Sequence, residues 1–124
     1  MSVSMLLASV LFAQSTAGFT VPAPPPEKVD VGYVQLVAGQ PGKAIDHIRA
    51  TGALEQRDPA ALINLGTAYA MLGHKAEAKD AYQKAKFSSN RYDLELANGD
   101  WIDSRDAAIL AEKSLEKGEY LALR

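Results

Sequence analysis

Residues 62–85, LINLGTAYAMLGHKAEAKDAYQKA, set bulky and small side chains at helical spacing around one glycine. Leu62, Leu65, Tyr69 and Leu72 lie three or four residues apart, so they share one helical face. Gly73 stops that helix, because glycine readily takes the left-handed conformation that ends helices. A second helix is expected over residues 75–86, with Ala78, Ala81, Tyr82 and Ala85 on its inner face. Small residues let helices approach closely. Gly66 and Ala78 are therefore expected to meet at the crossing, with Tyr69 and Tyr82 filling the space beside them.

Leu65-Gly66, Tyr69, Gly73, Ala78, Tyr82 and Ala85 together resemble a tetratricopeptide repeat, here assigned to residues 57–91. Leu62 stands where that family prefers Trp or another large apolar residue. Asn90 lies near its usual proline, so the closing turn departs from the family pattern. One helix pair cannot bury its own apolar face, so the resemblance implies a neighbour at the family period of about 34 residues. Shifting back by that period carries Pro59 onto Pro25, Leu65 onto Val31, Gly66 onto Gly32 and Gly73 onto Gly39. It also carries Ala78 onto Ala44 and Tyr82 onto Ile48, without a gap. Residues 28–56 are thus read as a second, weaker repeat, with Gln35 and Thr51 departing from the family pattern. Its first helix is expected to start late, after the prolines.

Beyond the strong repeat the period fails, and residues 92–124 are read as a hairpin or loop plus a capping helix. Asn98-Gly99 signals a hairpin over 92–103, since both central positions of a type I′ turn need positive φ. A last helix is expected to begin near Asp103 or Ser104, good N-cap residues, and to end at Gly118. It is read as resembling the second helix of a third repeat. Trp101 and this helix are expected to cover one end of the array; the end at repeat one is expected to be mobile or covered by another chain. The fold class that follows is all-α: two helix pairs, a capping helix and a small hairpin.

The first 26 residues carry no charged side chain. Met5–Ala13 is a nine-residue apolar run, of signal-peptide length and far short of the about 20 residues that span a bilayer. Ser15-Thr16-Ala17 offers a cut before Gly18. Residues 1–17 are accordingly expected to be a signal peptide and 18–27 a proline-rich linker. Export to the periplasm or outside is expected, with a cytoplasmic location as the alternative. No stable membrane span is expected.

The remaining sequence points away from chemistry. There is no cysteine, which excludes thiol catalysis, disulfides and thiolate metal sites. A formal net charge of −2 argues against a nucleic-acid partner, which needs a basic face. His47 and His74 lie in different repeats without Asp or Glu at ligand spacing, so no metal or cofactor is expected. Residues 38–43, AGQPGK, lack the spacing of a phosphate loop and the Ser or Thr that follows its lysine. Glu95, Asp100, Asp103 and Asp106 cluster at the hairpin but lack calcium-loop spacing. A solvated turn and helix start explains them. A small enzyme or ligand-binding protein using this acidic face is the weakest reading kept.

What the resemblance implies is a surface. The family's concave groove is lined by the first helix of each repeat, here Val29, Tyr33, Leu36 and Val37, then Ile63, Thr67, Ala70 and Met71. That lining is apolar and, if exposed, is of the kind that marks a partner site. The alternative is that the closing residues YLALR fill it. Asn64 matches a clamp-type asparagine of the family, but the other clamp residues are missing. The expectation is a non-catalytic scaffold in the cell envelope, binding an apolar peptide or helix of a protein partner. The rival is a subunit of a larger envelope assembly, or a homo-oligomer, joined through the open repeat end.

Overall fold

The structure, a computed structural model, describes residues 30–124. Helices α1 (Tyr33–Val37), α2 (Pro41–Ala50), α3 (Pro59–Met71) and α4 (Lys75–Lys86) come first. Strands β1 (Asp93–Glu95) and β2 (Trp101–Asp103) follow, and helix α5 (Ser104–Lys117) closes the order. The expected signal peptide, the proline-rich linker and the groove position Val29 lie outside the described residues.

Helix α3 starts where the sequence supplies a cap. Asp58 Oδ1 accepts from the Ala60 and Ala61 N–H groups, and Pro59 sits where a missing N–H costs nothing. The helix ends in a Schellman turn: Gly73, at φ 78°, donates to Ala70 O and His74 donates to Tyr69 O. Helix α1 ends the same way 34 residues earlier, with Gly39 donating to Leu36 O and Gln40 to Gln35 O.

The helix crossing is as the small residues dictate. A Cβ on Gly66 would lie 2.5 Å from a Tyr82 ring carbon and 3.0 Å from Ala78 O. A Cβ on Gly32 would lie 3.1 Å from Ile48 Cγ1 and 3.4 Å from Ala44 O. The same two contacts thus recur one period apart. Tyr82 is buried at the crossing. Tyr69 turns partly outward, accepting from Arg49 Nη2 at 2.7 Å and stacking on His74.

The turns also stack one period apart. Tyr92 Oη donates to Asp58 Oδ1 at 2.6 Å, and Asn90 Nδ2 donates to Gln56 O at 2.7 Å. Asn90 therefore closes by hydrogen bonding the turn that a proline would close by rigidity. Burial, then the bond to Asp58, pushes the Tyr92 phenol above its usual range.

Helix α5 corrects the sequence reading. It packs on α4 and α3 as α3 packs on α2 and α1, so it stands in the place of a first helix, not a second. Its ends agree. Asp103 caps it through the Arg105 and Asp106 N–H groups, and Gly118 and Glu119 close a Schellman turn onto Leu115 and Ser114. Asp58 to Asp103 and Gly73 to Gly118 are both 45 residues apart. Helix α5 thus repeats the ends of α3 at a spacing lengthened by the inserted hairpin.

The hairpin pairs Asp93 with Asp103, Leu94 with Ile102 and Glu95 with Trp101. Its turn is not type I′. Gly99 donates to Leu96 O, Leu96 donates to Asp100 O, and of the loop residues only Gly99, at φ 89°, is left-handed. This is the three-residue connection in which a glycine bulge supplies the twist. Strand alternation then places Leu94 in the core and Trp101 outside, 67% exposed. Trp101 does not cover the end of the array; α5 and Leu94 do.

Candidate functional site

The first-type helices α1 and α5 both pack on α3, which lies between them. Along α3 runs the chain's own segment 119–124. The segment leaves α5 through Gly118 and returns across α3 towards α1. Its residues alternate as an extended strand does. Leu121 and Leu123 pack with the main core cluster, and Ala122 with the cluster of Leu36, Ala44, Ile45 and Ala68. Leu123 is fully buried.

Asn64, at the centre of α3, holds this segment by its main chain. Its Oδ1 accepts from Leu123 N–H at 2.8 Å, and its Nδ2 donates to Leu123 O at 2.8 Å. The second Nδ2 hydrogen goes to Val31 O at 2.9 Å. These partners fix the amide's orientation, since two carbonyls require the nitrogen and one N–H requires the oxygen. Asn64 is fully buried, so each bond replaces water that is no longer there.

One helical turn on, Thr67 Oγ1 donates to Leu121 O at 2.5 Å and lies 3.0 Å from Tyr82 Oη. Because the threonine hydrogen is used on Leu121, the tyrosine must donate to the threonine. Burial raises the Tyr82 phenol's pKa, which keeps that donor protonated. The segment also extends the hairpin: Leu123 forms an antiparallel bridge with Leu96, and Arg124 N–H donates to Glu95 O at 3.1 Å. The Arg124 guanidinium lies over the Tyr33 ring, 5.5 Å from its centroid, with Nη1 3.9 Å from Glu95 Oε1.

The groove residues named from sequence thus fall into three groups. Ile63, Thr67 and Ala70 are buried, with Thr67 bonded to the segment. Leu36 is buried against α2 and Ala68, and Met71 packs beside it, partly exposed. Tyr33 and Val37 reach the rim, and Val37 is 59% exposed. Of the two alternatives drawn from the sequence, an open apolar lining or a groove filled by YLALR, the structure has residues 121–124 lying along α3, with Tyr120 exposed. The physical reason is that Asn64 and Thr67 offer an extended chain the main-chain bonds it would otherwise take from water.

In the sequence Asn64 is a lone match to the family's clamp. The available signal was its partner Thr67: two polar residues three apart on an otherwise apolar helix face. The pairing of Asn64 with Leu123 carries no sequence signal, because the two are 59 residues apart in the chain.

The other candidates are accounted for. His47 Nε2 lies 2.9 Å from Asp30 Oδ2, so the structure does bring a carboxylate to one histidine. Asp30 Oδ1 meanwhile accepts from Gly32 N–H. Asp103 is held below its usual range by the Arg91 hydrogen bond and by the two N–H groups it caps. Asp100 is engaged by Asn98 within the turn. Among the described residues, no group of three His, Asp or Glu could hold a metal ion, and no helix is long and apolar enough to cross a membrane. Away from the segment, an open trough of about 870 Å³ lies between the 54–57 turn, α3 and α4, with Leu54, Leu65 and Phe87 along it.

Comparison with known proteins gives one result. Residues 59–86, which span α3 and α4, match the family model described as the tetratricopeptide repeat. No curated protein and no solved structure matches the chain.

Proposed function

We propose, from the match of residues 59–86 to the tetratricopeptide repeat model, that this chain is a non-catalytic protein–protein interaction module whose concave face takes an extended apolar peptide. The observation that supports it is the hold on Leu121 and Leu123. Asn64 and Thr67 bond the segment's main chain, not its side chains. Contacts of that kind accept many sequences, while the pockets between them choose among side chains. An extended occupant suits these bonds better than a helix, whose main-chain groups are already paired internally.

The proposed location is the cell envelope, on the strength of the apolar run Met5–Ala13 and the small residues that follow it. A second reading is favoured by Val34, which is 64% exposed on α1. In that reading the open repeat end stacks on a further repeat, either of another subunit or of a second copy.

Site-specific photocrosslinking in the native host's envelope fraction tests both. A crosslinker at Tyr33, on the groove rim, is compared with one at Val34 and one at Lys84. A partner captured from Tyr33 alone supports the groove. Capture from Val34 alone supports end stacking. Equal capture from Lys84 contradicts both.

A further inference from the structure

The segment seated in the concave face shows which side chains that face reads. Leu123 fills the core beneath Asn64 and is fully buried. Leu121, two residues earlier, points the same way and is partly buried. Arg124 points the other way, over the Tyr33 ring and towards the Glu95 carboxylate. A planar guanidinium is suited to that setting, because it stacks on an aromatic face and pairs with a carboxylate at the same time. Ala122, between the leucines, meets only the edge of the second cluster.

The segment is joined to the rest of the fold through Gly118 and the exposed residues Glu119 and Tyr120. Its main-chain bonds could be made equally to another chain. We infer that the concave face is a receptor for an extended Leu-X-Leu-Arg segment of a partner protein, with the arginine read by Tyr33 and Glu95. The chain's own residues 121–124 occupy it as an intramolecular competitor. This rests on the groove reading above and adds to it a sequence pattern and a regulation. A tethered competitor weakens a free ligand in proportion to its local concentration, so loosening the segment opens the site.

The test uses the full chain and two labelled hexapeptides, EYLALR and EYLALE, followed by fluorescence anisotropy. Arg124→Glu loosens the segment at an exposed side chain without touching the core; Leu123→Ala loosens it more. EYLALR is expected to bind Arg124→Glu about tenfold tighter than it binds the unaltered chain, and about tenfold tighter than EYLALE binds the same variant. Adding Tyr33→Leu should bring the two peptides to within about threefold of each other.

Equal binding of the two peptides would overturn the arginine site and leave the groove reading standing. Binding that is no stronger in the loosened variants than in the unaltered chain would place the peptide elsewhere, and would overturn the competitor. If neither peptide binds either variant while circular dichroism reports the native fold, the groove reading itself fails. A dimer that forms in the unaltered chain and is lost in Leu123→Ala would replace the partner by exchange between copies.

Discussion

The two repeats share a close crossing and a closing turn and differ in the helix that joins them. In both, a glycine faces an alanine carbonyl and a large side chain sixteen residues on: Gly66 with Ala78 and Tyr82, Gly32 with Ala44 and Ile48. Yet α3 has 13 residues and α1 has five. Gly66 is helical and mid-helix, whereas Gly32, at φ 77°, is the residue before α1 begins. The comparison teaches that the close crossing defines the unit and the length of its first helix does not. It also shows what a short helix leaves undone. Here Asn64 on α3 bonds instead to Val31 O, ahead of the short α1, and to Leu123 of the segment 121–124.

The largest effect should come from breaking the shared contact where it is tightest. Gly66→Leu would push a side chain into the Tyr82 ring, already 2.5 Å from a bare Cβ. Overpacking costs about 1–3 kcal/mol and occasionally more. Here the ring is enclosed and cannot yield, so no cooperative urea transition is expected. Next is Leu123→Ala, which removes the largest buried side chain of the segment and should cost about 3 kcal/mol by urea denaturation. A loss below about 1 kcal/mol would mean that the segment does not complete repeat one.

Gly32→Ala should cost less than Gly66→Leu, about 1–2 kcal/mol, mainly for placing a Cβ in the left-handed region. Gly66→Ala beside Gly32→Ala sharpens the comparison: the Gly66 variant is expected to lose more, because its Cβ would meet Tyr82 at 2.5 Å where that of Gly32 meets Ile48 at 3.1 Å, and a smaller loss at Gly66 would contradict the tighter crossing. Smallest is Trp101→Ala, expected within about 0.5 kcal/mol because the ring stands in solvent.

Much of this fold was legible from the spacing of small residues, because a helix crossing can be no closer than its side chains allow. Gly66, Ala78 and Tyr82 therefore announced the second repeat, and the shift by 34 announced the first. Helix α5 was misread because the hairpin breaks the period. The signal lay in its caps, Asp103 and Gly118, which repeat Asp58 and Gly73 at a longer spacing. Trp101 was misplaced because one step along a strand reverses its face. The occupied groove was legible only as one of two alternatives. Four extended residues have no helical period, and the bonds that seat them join Asn64 to a residue 59 positions away. The polar pair Asn64 and Thr67 was the trace they left.

The central claim is that residues 121–124 complete the concave face in the free chain. Amide hydrogen exchange at Leu123 tests it most directly, since this N–H is buried and donates to Asn64 Oδ1 at 2.8 Å. The account predicts that it exchanges at least about a hundredfold more slowly than in an unstructured peptide, and that Asn64→Ala removes most of this protection. Exchange at the unstructured rate, with the amides of α3 still protected, would contradict it.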